Sequence, residues 1–383
     1  MKILLPTHQL AAAGIGTFID GLSTSLSAAL DKGDELLLVG DRPEGLDGGN
    51  VRWISSPALA RARLGRLAFE QVGIGRATRA VDVVHLPNPH ALLLNSAPFV
   101  VTVHDVFFLD RPEWYPRSFV VFKRAMLDAT LARKPKVIAS VSDFSRRALL
   151  RHFPEHEAQT RVIYPGLAPA PGAPVGEEDR EPYFLTLATF EPRKNHLGLL
   201  EAFRLARSRG LTLRWKVAGI EGYGSRHLLA ALRREEGVDV LGHVSNAQRE
   251  RLYRRARFFA FPSLAEGFGF PPLEAMARGT PTICAAGTAM DETVGDAAIR
   301  VAPDDFESWA GALSLLAEDA GERERLRAAG LTRAAEFSWM RAAQEYVSSY
   351  RSALRTGQGV TSRESGGGAD MCDYAADGEA RGA

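Results

Sequence analysis

The sequence predicts two doubly wound α/β domains with parallel sheets, followed by a short tail. Three observations carry this expectation. The 383 residues exceed one ordinary domain, at roughly 100–200 residues per domain. Short β-rich apolar runs alternate with longer helical patterns, the rhythm of parallel α/β chains. That rhythm stops at residues 168–182, where Pro169, Pro171, Pro174 and Pro182 sit among acids, and then restarts.

In order along the first half, strands are expected at 2–5, 35–39, 81–86, 99–103 and 137–141, giving a domain over 1–167. Residues 168–182 have linker composition. The second half repeats the scheme with strands at 183–187, 214–218, 238–241, 258–261 and 282–284, giving a domain over 183–337. Residues 338–355 read as one more helix. From 356 to 383 the chain is glycine, serine and charge with almost no apolar content, which predicts a disordered tail holding Cys372. Open parallel sheets bind ligands beyond the carboxyl ends of their strands, so residues that follow strands and precede helices are the candidates.

The most informative stretch runs from Phe261 through Glu266-Gly267-Phe268-Gly269-Phe270-Pro271-Pro272-Leu273-Glu274 to Met276. A strand ends, a glycine-rich loop follows, and prolines stand where a helix opens. Gly267 and Gly269 let backbone approach a ligand, and a helix N-terminus offers amides to an anion. Glu266 is expected in the loop and Glu274 in the first helical turn. Read locally, Glu274 would only complement the helix dipole and Glu266 would be solvated.

A second strand-to-helix junction carries Glu191-Pro192-Arg193-Lys194-Asn195. Asn195 reads as an N-cap. Adjacent cations here suit a pyrophosphate, since Arg binds two oxygens in plane and Lys acts as a point charge. After the first strand, Gly14 and Gly16 suggest a loop whose amides approach a phosphate or sugar. They are not a dinucleotide fingerprint, because Ile19 stands where a third small residue belongs. His104 and Asp105 end another strand, and Ser142 reads as the cap of the helix after it.

Charge and composition narrow the partners. Lys and Arg number 47 against 46 acids, too balanced for a general nucleic-acid binder. Two cysteines make no disulfide framework, so a reducing, cytoplasmic compartment is expected. No apolar run is long enough to span a membrane. The basic stretch 61–79 is amphipathic and suits either ordinary packing or peripheral contact with an anionic inner membrane surface. The stretch 249–257 follows a capping box at Ser245 and reads as a solvated helix face. No zinc spacing, phosphate loop or nucleophile elbow is present, and nothing calls for a metal or a resident cofactor.

With these residues in view, the chain resembles the retaining glycosyltransferases of family 4, over about residues 1–355. Glu266 through Glu274 is similar to that family's double-glutamate motif, supported by Phe190 through Asn195, His104-Asp105-Val106, Val141 through Ser145 and Val162 through Gly166. The resemblance implies the GT-B fold: two Rossmann-like domains facing across a cleft, with the last helix crossing back to the first domain. It implies that Arg193 and Lys194 hold the diphosphate of a nucleotide sugar and that Glu274 binds the ribose. Glu266, the amides of Gly267, Phe268 and Gly269, and the neighbouring Phe270 and Leu273 would contact the donor. Gly14 and Gly16 would approach the phosphate, His104 the reacting sugar, and the loop at Val244 the base. The stretch 287–294 departs from the family, with Met290-Asp291 before Glu292 in place of Leu-Pro.

The implied activity is retaining, metal-independent hexosyl transfer from a nucleotide diphosphate sugar to a hydroxyl of a glycan, lipid-linked or small-molecule acceptor. GDP-mannose is the preferred donor, because the His-Asp-Val region resembles bacterial polysaccharide mannosyltransferases; a UDP-sugar is the alternative. A nucleotide-sugar-binding protein without transfer and a Rossmann oxidoreductase are the competing classes.

Overall fold

The computed structural model describes residues 1–8, 13–43, 46, 48–55, 65, 69–90, 92, 94–173 and 175–355. The expected tail and most of the first part of the basic stretch 61–79 lie outside them. Among the described residues the first sheet has seven parallel strands in the order β3-β2-β1-β4-β5-β6-β7. They are β1 Lys2–Pro6, β2 Glu35–Gly40, β3 Val51–Ser55, β4 Val83–Leu86, β5 Phe99–Val103, β6 Val137–Ser140 and β7 Thr160–Val162. The second sheet runs β10-β9-β8-β11-β12-β13, also parallel. Its strands are β8 Glu181–Leu187, β9 Arg214–Ala218, β10 Val238–Gly242, β11 Ala256–Phe261, β12 Thr282–Ala285 and β13 Ile299–Val301. Both orders reverse at the first strand of the half, the doubly wound topology with a crevice at the switch point.

Among the described residues, helices of eight residues or more are α1 Ala13–Ala29, α2 Arg117–Ala132, α3 Asp143–His152, α4 His196–Ser208, α5 Ser225–Arg234, α6 Asn246–Arg255, α7 Phe270–Ala277, α8 Phe306–Glu318, α9 Ala320–Ala335 and α10 Trp339–Arg355. Central strands are buried on both faces, which is why β4, β5 and β6 are buried along their whole length. Alternation along β1 sends Ile3 and Leu5 into one core with α1 and α10, and Leu4 into another with Leu127 and Leu131 of α2. A third core fills the second half around Phe184, Trp215, Phe258 and Leu273.

The last helix closes the architecture. Trp339, Ala342, Ala343, Tyr346, Val347, Tyr350 and Ala353 form one buried stripe at helical spacing, and that stripe belongs to the first-half core. Gly21 makes the approach possible, since a Cβ there would lie 2.1 Å from the Trp339 ring. Tyr350 bonds His85 Nδ1 at 2.7 Å, and Tyr346 bonds Thr102 at 2.9 Å, which itself bonds His85 Nε2 at 2.8 Å. The helix is thereby tied to β4 and β5 by polar contacts inside the core.

Candidate functional site

Residues Phe258 and Phe259 of β11 pair with Phe184 and Leu185 of β8, so the two strands end side by side. The loops that leave them are stitched where Leu264 N donates to Arg193 O at 2.9 Å. After β8 the chain makes one tight turn, Pro192–Lys194, and then a left-handed Asn195 with φ 54°. Asn195 holds the N-cap position of α4, but its side chain does not cap. Its amide donates to Pro303 O at 3.0 Å, because the left-handed backbone turns it away from the helix amides.

Five side chains from these loops converge. Lys194 Nζ and Ser263 Oγ each donate to Glu266 Oε1 at 2.5 Å. Arg193 reaches the same oxygen at 3.4 Å, Ala265 O at 2.6 Å and Glu191 Oε1 at 2.8 Å. The Lys194 ammonium also lies 5.4 Å over the Phe261 ring. Burial would raise the Glu266 carboxyl, but Lys194, Arg193 and Ser263 outweigh it and hold Glu266 below its ordinary value. Burial pulls the Lys194 ammonium down while the Glu266 carboxylate opposes that pull, so an ionised Glu266 faces Arg193 and Lys194 at one sheet edge.

Glu274 occupies the fifth position of α7, in its second turn rather than its first. The helix starts at Phe270, directly after the left-handed Gly269 with φ 90°, before the prolines instead of at them. Pro271 and Pro272 carry no amide hydrogen, so the free donors at this helix end reduce to Gly269 and Phe270. Tyr253 OH donates to Glu274 Oε2 at 3.0 Å. Leu273 is fully buried in the second-half core and packs there instead of lining the cleft. Phe268 is buried edge-on between Phe270 and Phe337, leaving its backbone to the loop. Val244 is half-buried between β10 and α6. Its strand lies three places from β11, about 14 Å at roughly 4.8 Å per strand.

The first half meets this edge through three elements. Gly14 and Gly16 lie in the first turn of α1, a helix and not a loop, and a Cβ on Gly14 would sit 4.0 Å from Phe270. His104 follows β5; its Nε2 bonds Pro87 O at 2.9 Å, which makes Nε2 the protonated nitrogen and leaves Nδ1 as an acceptor. Burial lowers its pKa, so the ring is neutral, and it packs edge-on against Phe18 at 4.9 Å. Ser142 does cap α3, accepting from Ser145 N at 3.0 Å. Ser142 and Ser145 also donate to Gly267 O at 2.5 and 3.1 Å. Gly267 is packed so closely that a Cβ would lie 2.1 Å from His104 O.

A second bridge crosses the halves. Glu292 accepts from Asp143 N at 3.0 Å and Phe144 N at 2.8 Å, sealing the N-terminus of α3, and from Tyr164 OH at 3.0 Å. Between the halves lies a hollow of about 210 Å³ walled by His104, Asp105, Tyr115, Phe119 and Lys123, with Arg193 opposite.

Comparisons with known proteins agree with this geometry. Residues 12–170 match the family described as Glycosyltransferase Family 4, and residues 173–333 match Glycosyl transferases group 1. The O-antigen chain mannosyltransferase B of Escherichia coli is 32% identical over 286 residues, covering 70% of this chain and 74% of that protein. The chain belongs to glycosyltransferase family 4. A second relative, the O-antigen chain mannosyltransferase RfbU of Salmonella typhimurium, is 29% identical over 218 residues, 56% of this chain and 59% of its own. Among solved structures, sucrose-phosphate synthase from Thermosynechococcus elongatus superposes with a TM-score of 0.71 at 18% identity, covering 93% of this chain and 100% of that one. The Anabaena protein HepE, solved with UDP and glucose, gives 0.68 at 18% identity, over 92% and 99% of the two chains. These likenesses establish the GT-B fold.

This glycosyltransferase thus brings Arg193, Lys194, Glu266, Gly267 and His104 to one place, as expected, and leaves Leu273 in the core. Sequence reading misses the bridging role of Glu292 and the wall formed by Tyr115, Phe119 and Lys123. The four-residue spacing of that wall is the available signal. Among the described residues no helix is long and apolar enough to cross a membrane, and no group of His, Cys, Asp and Glu is arranged to hold a metal.

Proposed function

We propose that this enzyme moves a mannosyl group from GDP-mannose to a hydroxyl of a growing glycan, with retention at the anomeric carbon. The observation that carries the chemistry is the contact of Arg193 and Lys194 with Glu266 at the ends of β8 and β11. The choice of sugar is supported by the two mannosyltransferase relatives.

In this reading the bond between the sugar's anomeric carbon and the diphosphate breaks, and its electron pair stays on the phosphate oxygen. Arg193 and Lys194 meet that charge. Fixed cations in a water-poor site are worth more than in solution and need no reorganisation at the moment of reaction. The acceptor oxygen bonds the anomeric carbon from the same face and its proton passes to the departing phosphate. Glu266 and the backbone of Gly267, Phe268 and Gly269 hold the donor sugar, and the Phe270 amide adds to them. Glu274 takes the ribose hydroxyls, the loop at Val244 receives the base, and the first turn of α1 at Gly14 and Gly16 approaches the phosphate. His104, neutral and acceptor-ready at Nδ1, stands beside the reacting carbon. Closure of the halves through Gly267 and Glu292 excludes the water that would hydrolyse the donor. We place the reaction in the cytoplasm, where the buried thiol of Cys284 stays reduced.

The test is thermal stability with GDP, UDP, ADP and dTDP, followed by turnover of GDP-mannose and anomeric analysis of the product. Ligand at 100 times its Kd stabilises by about 2.7 kcal/mol. GDP is expected to give the largest shift, and Glu274→Ala to reduce it. A preference for UDP, or an inverted product, overturns the donor or the stereochemical assignment respectively.

A further inference from the structure

Glu266 and Glu274 sit in opposite surroundings. Glu266 has Lys194, Ser263 and Arg193 gathered on one oxygen. Glu274 is half-buried, and among the described residues its carboxylate takes one hydrogen bond, from Tyr253, and pairs with no cation. An ionised carboxylate has about four acceptor sites, so most of the capacity of Glu274 is left for a ligand.

The group that does hold Glu274 is itself locked in place. Tyr253 is fully buried in α6. Its ring packs against Phe259 with centroids 5.4 Å apart, and the Arg278 guanidinium lies 5.3 Å over the ring. Its carbonyl accepts from Thr280 Oγ1 at 2.7 Å. Arg278 also clamps α6 to α7, since its Nε donates to Glu250 at 2.6 Å and its Nη1 to Glu274 O at 2.8 Å. Glu250 and Tyr253, three residues apart, share one side of α6. Burial first, and Glu274 second, raise the phenol well above its ordinary pKa, so it stays protonated and remains a donor. Side chains lean towards the N-terminus of their own helix. Both α6 and α7 follow strands of one parallel sheet, so Tyr253 and Glu274 lean together towards the crevice at the strand ends.

The kind of partner decides what the carboxylate can do. A lysine or arginine in this place would neutralise the charge and fill the lone pairs. A phenol fixes the carboxylate through one neutral hydrogen bond and leaves its charge unspent. A fixed, uncompensated carboxylate repels phosphate and accepts from hydroxyls, and two adjacent hydroxyls can each donate to it.

We propose that Tyr253 is a positioning residue: it sets the Glu274 carboxylate for the adjacent hydroxyls of a ribose, and so sets the preference for nucleotides that carry them. The proposal rests on the reading of Glu274 as the ribose-binding acid and adds the residue that makes that acid selective.

The experiment is calorimetric titration of the full chain with GDP and 2′,3′-dideoxy-GDP, with UDP and 2′,3′-dideoxy-UDP run alongside, following the base that the parent binds more tightly. The parent is expected to favour the ribonucleotide by about tenfold or more, the worth of one hydrogen bond to a charged group. Tyr253→Phe keeps the ring and its packing, and its melting temperature without ligand reports that it is folded. It is expected to weaken the ribonucleotide about fivefold and to change the dideoxy compound less than about twofold. Glu274→Ala is expected to abolish the preference. If it does, while folded Tyr253→Phe keeps the parent's preference or weakens both nucleotides equally, the positioning role is overturned and the ribose reading stands. A parent without the preference, or a preference that survives in Glu274→Ala, refutes the ribose reading and the proposal with it.

Discussion

Replacing Lys194 by methionine keeps most of the side-chain volume and removes one charge from a buried pair. Both partners are 12% exposed and their atoms lie 2.5 Å apart. Breaking a buried ion pair costs about 3–5 kcal/mol, because the surviving charge is left in a poorly solvated place. Here Glu266 would retain Ser263 and the more distant Arg193, so the lower end, about 3 kcal/mol, applies. At about 2–4 °C per kcal/mol for a domain of this size, the second half should melt roughly 6–12 °C earlier. Adding Glu266→Gln to Lys194→Met removes the orphaned charge and should return at least half of that loss, since Arg193 keeps Glu191. Scanning calorimetry of the parent, both single variants and the double variant closes the cycle. A Lys194→Met protein that melts within about 2 °C of the parent, or a double variant no better than the single one, would show that the pair is not buried and coupled as described.

Three further expectations use other parts of the molecule. Gly267→Ala sets a methyl group against His104 O, at a cost of about 1–3 kcal/mol for overpacking; small-angle scattering should report a larger radius of gyration and turnover should drop, and neither happening would place the loop elsewhere. Glu292→Gln keeps an acceptor but loses the charge that seals α3, so turnover should fall about tenfold, one such charge-assisted bond being worth roughly 1.5–3 kcal/mol; full turnover would remove Glu292 from closure. His196 is fully buried with its pKa pushed down to about 3 from 6.5, by burial first and Lys194 second. The unfolded chain takes that proton first, so stability falls as pH drops from about 6.5 towards 3. Between about pH 7 and pH 5 the loss is about 2 kcal/mol for this histidine. His196→Phe, which also removes two buried nitrogens without partners, should flatten the acid slope of the melting temperature by that share, and an unchanged slope would count against the assignment.

The doubly wound architecture is legible because buried parallel strands are written as continuous apolar runs, and those of β1, β5, β8 and β11 largely are. Strand β3 is not, because four of its five residues are exposed at a sheet edge, which leaves no burial pattern to read. Strands β7 and β13 have three residues each, too few for any period. Arg193, Lys194 and Glu266 are legible from their place after strands. Their mutual contact is not, since it depends on β8, which ends at Leu187, lying beside β11, which begins at Ala256 far along the chain. Glu292 is hidden for a similar reason. In sequence it is an acid in a short helical turn, and only the fold sets it against α3 in the other half. Asn195 reads as a cap because its residue type is one, while its left-handed backbone gives the side chain another partner.

The return of α10 to the first half has a consequence for how the protein is made. Trp339, Tyr346 and Tyr350 complete the core begun by Ile3, Leu5 and Phe18, yet they are synthesised after the whole second half. At roughly 5–20 residues per second, the ribosome needs on the order of 10–35 s between the end of the first half and this helix. Throughout that interval the nascent first half presents an uncovered apolar face, whereas the second-half core takes no residue from that helix. Ribosome-bound chains halted before residue 339 should therefore be chaperone clients, and release of the final helix should end that dependence.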